Sequence, residues 1–316
     1  MSLFRTYIKV TLAYLLAAYC FYSSVVYADE ISLVVYPQSL SKNSVNFLAP
    51  IIKGITATNI DAGITTIALS ENDPKIVDLI SGNKLRSTIA LGKSAFMLSD
   101  IVKPSTKRIF LGQFDTATIT KLSKHTGLIF TPNPGVLFKR LHDIVKASQI
   151  PKVKQVHVVY NEGVSGWLVE QAKNDAAKHN IILIAHPTSS LSQTANIYTT
   201  LLPNLSAIDA IWLLNDRYAR NESIIELIVR AAWEKRIAVF SSRLADIKSS
   251  VLFSAYPNLE RTGSALSRLA AVGNASTTTL RSLHFGLNSR VAAHIGVSID
   301  VLEPEFMTIY PKHVSE

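Results

Sequence analysis

VKQVHVVY at residues 153–160 is the first of four short apolar runs, which continue as IILIA at 181–185, AIDAIWLL at 207–214 and IAVF at 237–240. The stretches between them carry the apolar spacing of amphipathic helices. Runs rich in Val and Ile that alternate with helices are typical of βαβ units, which build a parallel sheet covered on both faces. This part of the chain therefore predicts an α/β fold.

The residues that directly follow these runs are the first candidates for a ligand site. In a parallel α/β sheet, ligands lie in the crevice beyond the carboxyl ends of the strands. The candidates are Tyr160-Asn161, His186-Pro187, Asn215-Asp216 and Ser241 to Arg243.

Length and composition indicate a globular protein of more than one domain. A chain of 316 residues is too long for one small core, so we expect two domains. Hydrophobic residues make up 48% of the chain and charged residues 17%, which is not typical of a disordered protein. The formal charge of +9 is spread along the chain without a basic stripe that contains aromatic residues. This charge pattern argues against nucleic-acid binding.

The first 28 residues have the layout of a secretory signal peptide. Arg5 and Lys9 precede an apolar stretch at 10–22, and Ala28 is the small residue before the expected cut. The apolar stretch is shorter than the roughly 20 residues that span a membrane, so a retained anchor is the less favoured alternative. We therefore expect cleavage after Ala28 and a periplasmic protein.

The amino-terminal half alternates strands with helices. Strands are predicted at 31–36, 64–68, 88–91, 108–111 and 128–130, a helix at 41–58, and further helices from Asp73-Pro74 and from Ala95. The residues 131–135 form the strongest turn cluster in the chain and mark a crossing to the second domain.

The second half continues the same alternation. Helices are predicted at 136–149, 164–178, 217–235, 258–271 and 289–294, and further strands at 251–256 and 283–287. Asn288 is expected to cap the last helix and Gly296 to end it. The chain thus divides into two α/β halves of similar size.

Motifs of the common catalytic and nucleotide-binding sites are missing. The sequence contains no Walker motif, no GxGxxG, no GxSxG and no HExxH. Ser39 and Lys42 match the SxxK spacing of penicillin-recognising enzymes, but no KTG or SDN accompanies them. The one cysteine, Cys20, leaves with the signal segment, and His157 is expected to be a satisfied core histidine rather than a ligand. We expect no catalytic residue, no metal site and no cofactor, which favours a binding protein over an enzyme.

Two charged residues at strand ends each have two interpretations. Asp216 either pairs with a ligand ammonium group or caps a helix at 217–235. Arg243 either binds a carboxylate with its planar guanidinium or is a solvated surface arginine.

Aromatic residues divide into candidate pocket walls and candidate core residues. Tyr160, Trp167 and Tyr256 are expected to wall a pocket for a small ring or an aliphatic group. Trp212 and Trp233 fall inside a predicted strand and a predicted helix, and both are expected in the core.

Several local phrases occur in an order that resembles a known family. They are KQVHVVYN at 154–161, IDAIW at 208–212, RIAVF at 236–240, SAYP at 254–257 with Gly263, and Leu287-Asn288 with Ala292, Ala293 and Gly296. With the export signal and the five-strand first half, they resemble the periplasmic substrate-binding components of ABC importers. The resemblance is to the group that includes tryptophan and tyrosine binders, and it covers nearly all of the mature chain.

This resemblance implies a type I periplasmic-binding fold, in which two Rossmann-like lobes with parallel sheets are joined by hinge crossings and close on a ligand. The first lobe would comprise residues 29–132 and about 257–282, and the second 133–256 and about 283–316. Together with Arg243, the strand-end residues expected to contact a ligand are Tyr36, Ser94, Gln113, Asp115, Tyr160, Asn161, Asn215, Asp216 and Tyr256.

Three strand ends depart from the pattern of the family. Typical members carry Gly-Thr where this chain has Gly92-Lys93, and Ser-Asp-Pro where it has residues 113–115, Gln-Phe-Asp. Ser242-Arg243-Leu244 stands where members usually have Ser, Asp and Gly. The resemblance therefore implies the fold without identifying the ligand.

The leading hypothesis is a monomeric periplasmic solute-binding protein without catalytic activity. It would capture a small amino-acid-like or aromatic metabolite and deliver it to the membrane permease of an ABC importer. The alternative is a sensory or adaptor protein of the same fold that presents a ligand-dependent surface to a membrane receptor. A third hypothesis is an exported hydrolase that uses Ser39 and Lys42.

Overall fold

The fold is given by a computed structural model, which describes residues 31–37, 42–58, 64–69, 85–92, 107–122, 125–148, 151–218, 221–272, 277–298 and 306–311. The expected signal segment, Ser39, Ser94 and the helices expected from Asp73-Pro74 and Ala95 lie outside these residues. Within the described ranges, no helix is both long enough and apolar enough to cross a membrane.

Strands and helices alternate along most of the described chain. The strands are β1 (Ile31–Pro37), β2 (Ile64–Leu69), β3 (Leu85–Leu91), β4 (Lys107–Gly112), β5 (Thr126–Pro132), β6 (Gln155–Asn161), β7 (Ile182–Thr188), β8 (Asp209–Leu213), β9 (Ala238–Ser241), β10 (Phe253–Pro257), β11 (Thr277–Leu280), β12 (Leu283–Asn288) and β13 (Thr308–Tyr310). The α-helices are α1 (Lys42–Thr58), α2 (Thr116–Lys121), α3 (Pro134–Lys146), α4 (Glu162–Ala177), α5 (Leu191–Leu201), α6 (Glu222–Lys235), α7 (Leu259–Val272) and α8 (Ser289–Ile295). Short 3₁₀ helices lie at Leu202–Asn204 and Leu244–Ser249.

These strands form two sheets. The first has the order β11-β5-β4-β3-β1-β2, and every neighbouring pair in it is parallel. The second has the order β13-β12-β10-β9-β8-β6-β7 and is parallel except for the antiparallel pair β10 and β12. The α/β class and the two largely parallel sheets predicted from the sequence are therefore confirmed.

The described chain passes between the two sheets three times. β5 belongs to the first sheet, whereas α3 packs in the core of the second. The chain returns after β10 to α7, which packs on the first sheet, and leaves again between β11 and β12. The exact lobe boundaries expected from the sequence stay a prediction.

The crossing at 131–135 is a strand end joined directly to a helix start rather than a free turn. Asn133 caps α3 by accepting a hydrogen bond from Val136 N–H, and Pro134 takes the first helical position, where its missing N–H costs nothing. The Asn133 amide also donates to Thr279 Oγ1 at 2.8 Å, which ties this crossing to β11. Two of the three crossings are thus held together by one buried side chain.

Several element boundaries differ from those predicted. The helix expected at 217–235 begins only at Glu222, after an Asn221 N-cap. β7 extends to Thr188, so His186 and Pro187 lie inside a strand rather than after it. Because β7 is an edge strand, Pro187 is tolerated there.

β11 and β13 were not predicted from the sequence. They have four and three residues, so their own pattern is too short to show a period of two. β11 is a strand because it pairs with β5, and β13 is a strand because it pairs with β12. The expected cap of α8 by Asn288 and its end at Gly296 are both confirmed.

The central strands of the second sheet, β6, β8 and β9, are buried on both faces, whereas the edge strand β7 is mostly half-buried. One face packs against α3, α4 and α8 around Phe138, Trp212 and Phe240, and the other packs against α5 and α6 around Tyr198. Burial on both faces explains why these central strands are continuous apolar runs.

In the first lobe, α1 and α7 approach so closely that two glycines are required. A Cβ at Gly54 would lie 1.9 Å from the carbonyl oxygen of Glu260, and one at Gly263 would lie 2.0 Å from that of Ile51. No real Cβ tolerates such a distance to a backbone atom, so any other residue would separate the helices.

The two tryptophans expected in the core have different environments. Trp212 is fully buried, as predicted. The prediction for Trp233 is wrong, because this residue is 45% exposed and stacks on the His294 ring. It lies beside the buried stripe of α6, which is formed by Ile224, Ile228 and Ala232.

Candidate functional site

A cavity of about 290 Å³ lies where the carboxyl ends of the two sheets meet. Residues that follow β4 and β5 form one side, and residues that follow β6, β8 and β9 form the other. The described lining is Gln113, Phe114, Phe130, Thr131, Pro132, Val164, Ser165, Trp167, Leu168, Leu214, Asn215, Ser242, Arg243, Leu244, Tyr256 and Pro257. Because both sheets contribute, a change in the angle between the lobes would open or close this cavity.

The structure divides the predicted contact residues into two groups. Gln113, Asn215, Arg243 and Tyr256 line the cavity, as does the predicted wall residue Trp167. That any of them contacts a ligand stays a prediction.

The other predicted residues do not belong to the described lining. They are Asp115, Tyr160, Asn161 and Asp216, whereas Ser94 lies outside the described residues and Tyr36 is described only as a position in β1.

Asp216 faces the protein rather than the cavity, with 1% of its surface exposed. Its Oδ2 accepts hydrogen bonds from Asn161 N–H at 2.7 Å and from Ser165 Oγ at 3.3 Å. Its Oδ1 accepts from Tyr218 N–H at 3.0 Å. The expected cap of a helix at 217–235 is wrong, because this helix begins at Glu222 and the carboxylate instead joins the end of β8 to the start of α4. That Asp216 pairs with a ligand ammonium group stays a prediction.

Tyr160 and Asp115 also have structural contacts. Tyr160 is 6% exposed in the core of the second lobe, where burial, and to a smaller extent the Glu162 carboxylate, raise the pKa of its phenol. Asp115 caps α2 by accepting a hydrogen bond from Thr118 N–H at 2.7 Å. A carboxylate directly after a strand is thus used here to begin a helix.

Arg243 extends its side chain along the cavity from the end of β9. Its backbone N–H donates to Ser241 Oγ at 3.1 Å, which fixes the residue before the 3₁₀ helix at 244–249. Its Nε lies 3.9 Å from Asp246 Oδ1, and 48% of its side chain is exposed. Asp246 is itself buried and accepts a hydrogen bond from the Ser241 hydroxyl.

The amino end of α4 lies at the cavity beside two carboxylates. Val164 and Ser165, in the first turn of this 16-residue helix, belong to the lining. The first N–H groups of a helix carry a partial positive charge. Here the buried Asp216 carboxylate binds the Asn161 N–H and Glu162 stands in the first turn, so negative charges of the protein already meet this helix end.

α2 and α4 connect the lobes at one side of the cavity. The Thr116 hydroxyl donates to the Glu162 carbonyl oxygen at 3.0 Å. A Cβ at Gly166 would lie 3.7 Å from Thr116 Oγ1, which is an ordinary van der Waals distance, so α4 faces α2 here without requiring a glycine. This contact belongs to a state in which the two lobes touch beside the cavity.

Apolar lining residues were missed by the sequence argument. Phe114 and Leu244 lie shortly after the ends of β4 and β9, and Phe130 lies close to the end of β5, so the strand-end rule covers all three. From the strand ends we selected polar and charged side chains and tyrosines as expected ligand contacts, which left these apolar neighbours out. Val164 and Leu168 lie on α4, and their position depends on how that helix packs.

A second polar cluster lies away from the cavity, on the face of the second sheet covered by α5. His157 Nδ1 and His186 Nε2 are 3.2 Å apart, and His157 Nε2 lies 4.0 Å from Asp209 Oδ1. His157 is buried, as predicted, but it is not fully satisfied, because its Nε2 has no hydrogen-bond partner among the described residues. Burial lowers the pKa of both imidazoles. Across the ranges that the structure describes, no group of three or more His, Cys, Asp or Glu side chains is arranged to hold a metal ion.

Comparison with known proteins supports the fold. No protein-family model matches the chain, and no curated protein matches its sequence. A ligand-free, open substrate binding protein with adhesive properties from Clostridium difficile matches with a TM-score of 0.60 at 13% identity, covering 90% of this chain and all of that one. An ABC domain in complex with L-Trp from Streptococcus pneumonia matches with a TM-score of 0.50 at 17% identity, covering 88% of this chain and 98% of that one. The fold is therefore that of the type I periplasmic binding proteins, as the resemblance implied.

Proposed function

We propose that this chain is an exported solute-binding protein, which encloses a small amino-acid-like or aromatic metabolite in its cavity and delivers it to the permease of an ABC importer. The observation that carries the proposal is the cavity itself, because residues from both sheets and from the crossing at Tyr256 and Pro257 line it. Ligands of α/β proteins bind at the carboxyl ends of strands, and hinged lobes close around them.

The sequence and the comparisons add further support. The layout of the first 28 residues supports export to the periplasm. A substrate binding protein and an ABC domain solved in complex with L-Trp share the fold over nearly their whole length. In this proposal the protein acts by binding and closure, and it catalyses no reaction.

A receptor is the alternative membrane partner. After β9 this chain has Ser242-Arg243-Leu244, where members of the family it resembles usually have Ser, Asp and Gly. This difference favours a different ligand or a different partner surface. In that case the closed lobes would present their joint surface to the outer domain of a membrane sensor. Retention of the ligand-loaded protein by vesicles that carry the candidate permease, and not by vesicles that carry the sensor, would decide for import.

The test is a thermal-shift screen of the purified protein against amino acids, aromatic acids, purines and sugars. Since the pneumococcal protein was solved with L-Trp, that compound belongs in the screen. A ligand at about 100 times its dissociation constant adds roughly 2.7 kcal/mol of stability, which is a shift of several degrees.

Two matched variants show whether a compound binds in the cavity. Trp167→Ala removes a wall of the cavity, so the shift should disappear. Trp233→Ala removes a tryptophan that is 45% exposed and not part of the lining, so the shift should persist. Compounds that stabilise both variants equally, or that are converted to products, would refute the proposal.

A further inference from the structure

The proposed function leaves the chemical class of the solute open, and Arg243 narrows it. Among the described lining residues, Arg243 is the one that carries a charge. The rest of the described lining is mostly apolar or aromatic, including Phe114, Phe130, Trp167 and Leu244. A cation on such a wall attracts an anion more strongly than it would in water, since the surroundings screen the charge less.

The guanidinium is positioned but only partly neutralised. Asp246 approaches its Nε at 3.9 Å, which is the outer limit of an ion pair. The described contacts of Arg243 engage this Nε edge, so its two Nη groups are available to a further acceptor. An arginine held by one edge presents the two parallel donors that match a carboxylate.

Asp216 adds a second constraint on the ligand. Its carboxylate would be the partner for a ligand ammonium group, but three donors of the protein already bind it. Of the charged residues that follow β8 and β9, Arg243 therefore lines the cavity with a cation, whereas the Asp216 carboxylate is bound by the protein.

Size and charge together favour a monocarboxylate. The cavity of about 290 Å³ lies at the lower end of the roughly 300–1,000 Å³ of small-molecule sites, which suits one ring with a short acid chain. A phosphate ester carries close to two negative charges, more than one guanidinium that already faces Asp246 can balance.

We propose that the cavity selects small ring-bearing monocarboxylates, and that Arg243 determines this specificity by pairing with the carboxylate. This inference rests on the proposed function, because it requires that the cavity is the solute site.

The test measures the binding of 3-phenylpropionate and of its uncharged amide, 3-phenylpropionamide, by isothermal titration calorimetry. The two probes have the same shape, so they differ in charge at the group that would meet Arg243. We expect the acid to bind at least about tenfold more tightly than the amide, since hydrogen bonds between charged groups are the stronger ones.

Variants connect that preference to the residue. Arg243→Gln should weaken binding of the acid about tenfold or more and leave binding of the amide within about twofold. Arg243→Lys keeps the charge without the planar pair of donors, so an intermediate loss is expected. Arg230→Gln, which removes a charge from the exposed face of α6, is the matched control and should change neither affinity.

The outcomes separate this inference from the proposed function. Equal binding of acid and amide, or an unchanged affinity of both Arg243 variants for the acid, would overturn the carboxylate assignment. If Arg243→Gln does not fold, the loss in Arg243→Lys decides. If neither probe binds but other compounds bind in a way that requires Trp167, the carboxylate assignment is overturned and the proposed function stands. If no compound in the screen requires Trp167 for its binding, both proposals are overturned.

Discussion

Strand β8 has a buried aspartate at each end of its run, and the two are satisfied in different ways. Asp209, at the amino end, accepts two hydrogen bonds from the N–H and hydroxyl of Ser206, three residues earlier. Asp216, beyond the carboxyl end, accepts from Asn161 and Ser165, which are 55 and 51 residues earlier, as well as from Tyr218. The first carboxylate closes a local turn, and the second joins distant segments beside the cavity.

This difference separates polar residues that support a site from those that are available to a ligand. A carboxylate at a strand end looks the same in the sequence whether its partners are ligand groups or backbone N–H groups. The start of α4 supplies the Asn161 N–H and the Ser165 hydroxyl beside β8, and Asp216 binds both. After β9, the ion pair of Arg243 among the described residues is the one from its Nε to Asp246 Oδ1 at 3.9 Å, and the residue lines the cavity.

The largest effect is expected from Asp216→Asn. The amide keeps the shape but replaces one acceptor with a donor, which then faces Asn161 N–H, Ser165 Oγ or Tyr218 N–H. Charged hydrogen bonds are lost and buried donors are left unpaired, so we expect a loss of about 3 kcal/mol in the free energy of unfolding. Urea unfolding measures this loss.

Asp143→Asn is the matched control for this variant. Asp143 pairs with Lys139 on the exposed side of α3, and such pairs contribute less than about 0.5 kcal/mol. If Asp216→Asn were as stable as the wild type yet unable to bind its solute, Asp216 would be a ligand contact after all, and the contrast between the two ends of β8 would fail.

The amino end of β8 predicts a pH dependence. Burial lowers the pKa of His157 and of His186, each histidine lies against the other, and Asp209 opposes the shift for His157. A histidine with a lowered pKa in the folded state binds its proton more readily when unfolded. Its stabilising contribution is therefore complete above the unfolded value of about 6.5 and is lost as the pH falls from there towards the folded pKa.

Urea unfolding at about pH 7.5 and about pH 5.5 tests this dependence, with values chosen on either side of the unfolded histidine pKa. The wild type should be less stable at the lower pH, and the double variant His157→Gln with His186→Gln should lose less stability between the two. A double variant with the full pH difference would show that other groups cause it.

The fold was largely predictable because the apolar runs that form β6, β8 and β9 predict buried strands, and these strands are buried. The cavity was predictable in part. Asn215 and Arg243 were found because strand ends lie at ligand sites in such sheets. The role of Asp216 was not predictable, since two of its three partners, Asn161 and Ser165, lie more than 50 residues away at the β6–α4 junction, and only the packed structure brings them together.

The same limit applies to the shortest strands. β11 contains three threonines and one leucine, and nothing in that pattern distinguishes a strand from a loop. It becomes a strand because β5 offers it an unpaired edge and because Asn133 binds Thr279. Long-range pairing decides such a segment, as it decides the partners of Asp216.

The smallest effect is expected from a substitution of Thr116. It tests whether the position of the α4 start, which Asp216 fixes, also supports the contact between the two lobes. Asp216 holds the residues at the start of α4, and the Thr116 hydroxyl donates to Glu162 in the same helix start. Thr116→Val removes this one hydrogen bond between lobes, so the closed state should lose about 1 kcal/mol and the solute should dissociate roughly fivefold faster. The stability to urea should change by less than about 0.5 kcal/mol, because neither core loses a contact.

Stopped-flow dissociation of the tightest compound from the screen measures the rate, and Thr116→Ser, which keeps the hydroxyl, should restore it. Equal rates for the wild type and Thr116→Val would mean that the lobes close without this contact. The hydrogen bonds of Asp216 to the start of α4 would then stabilise the second lobe without affecting closure.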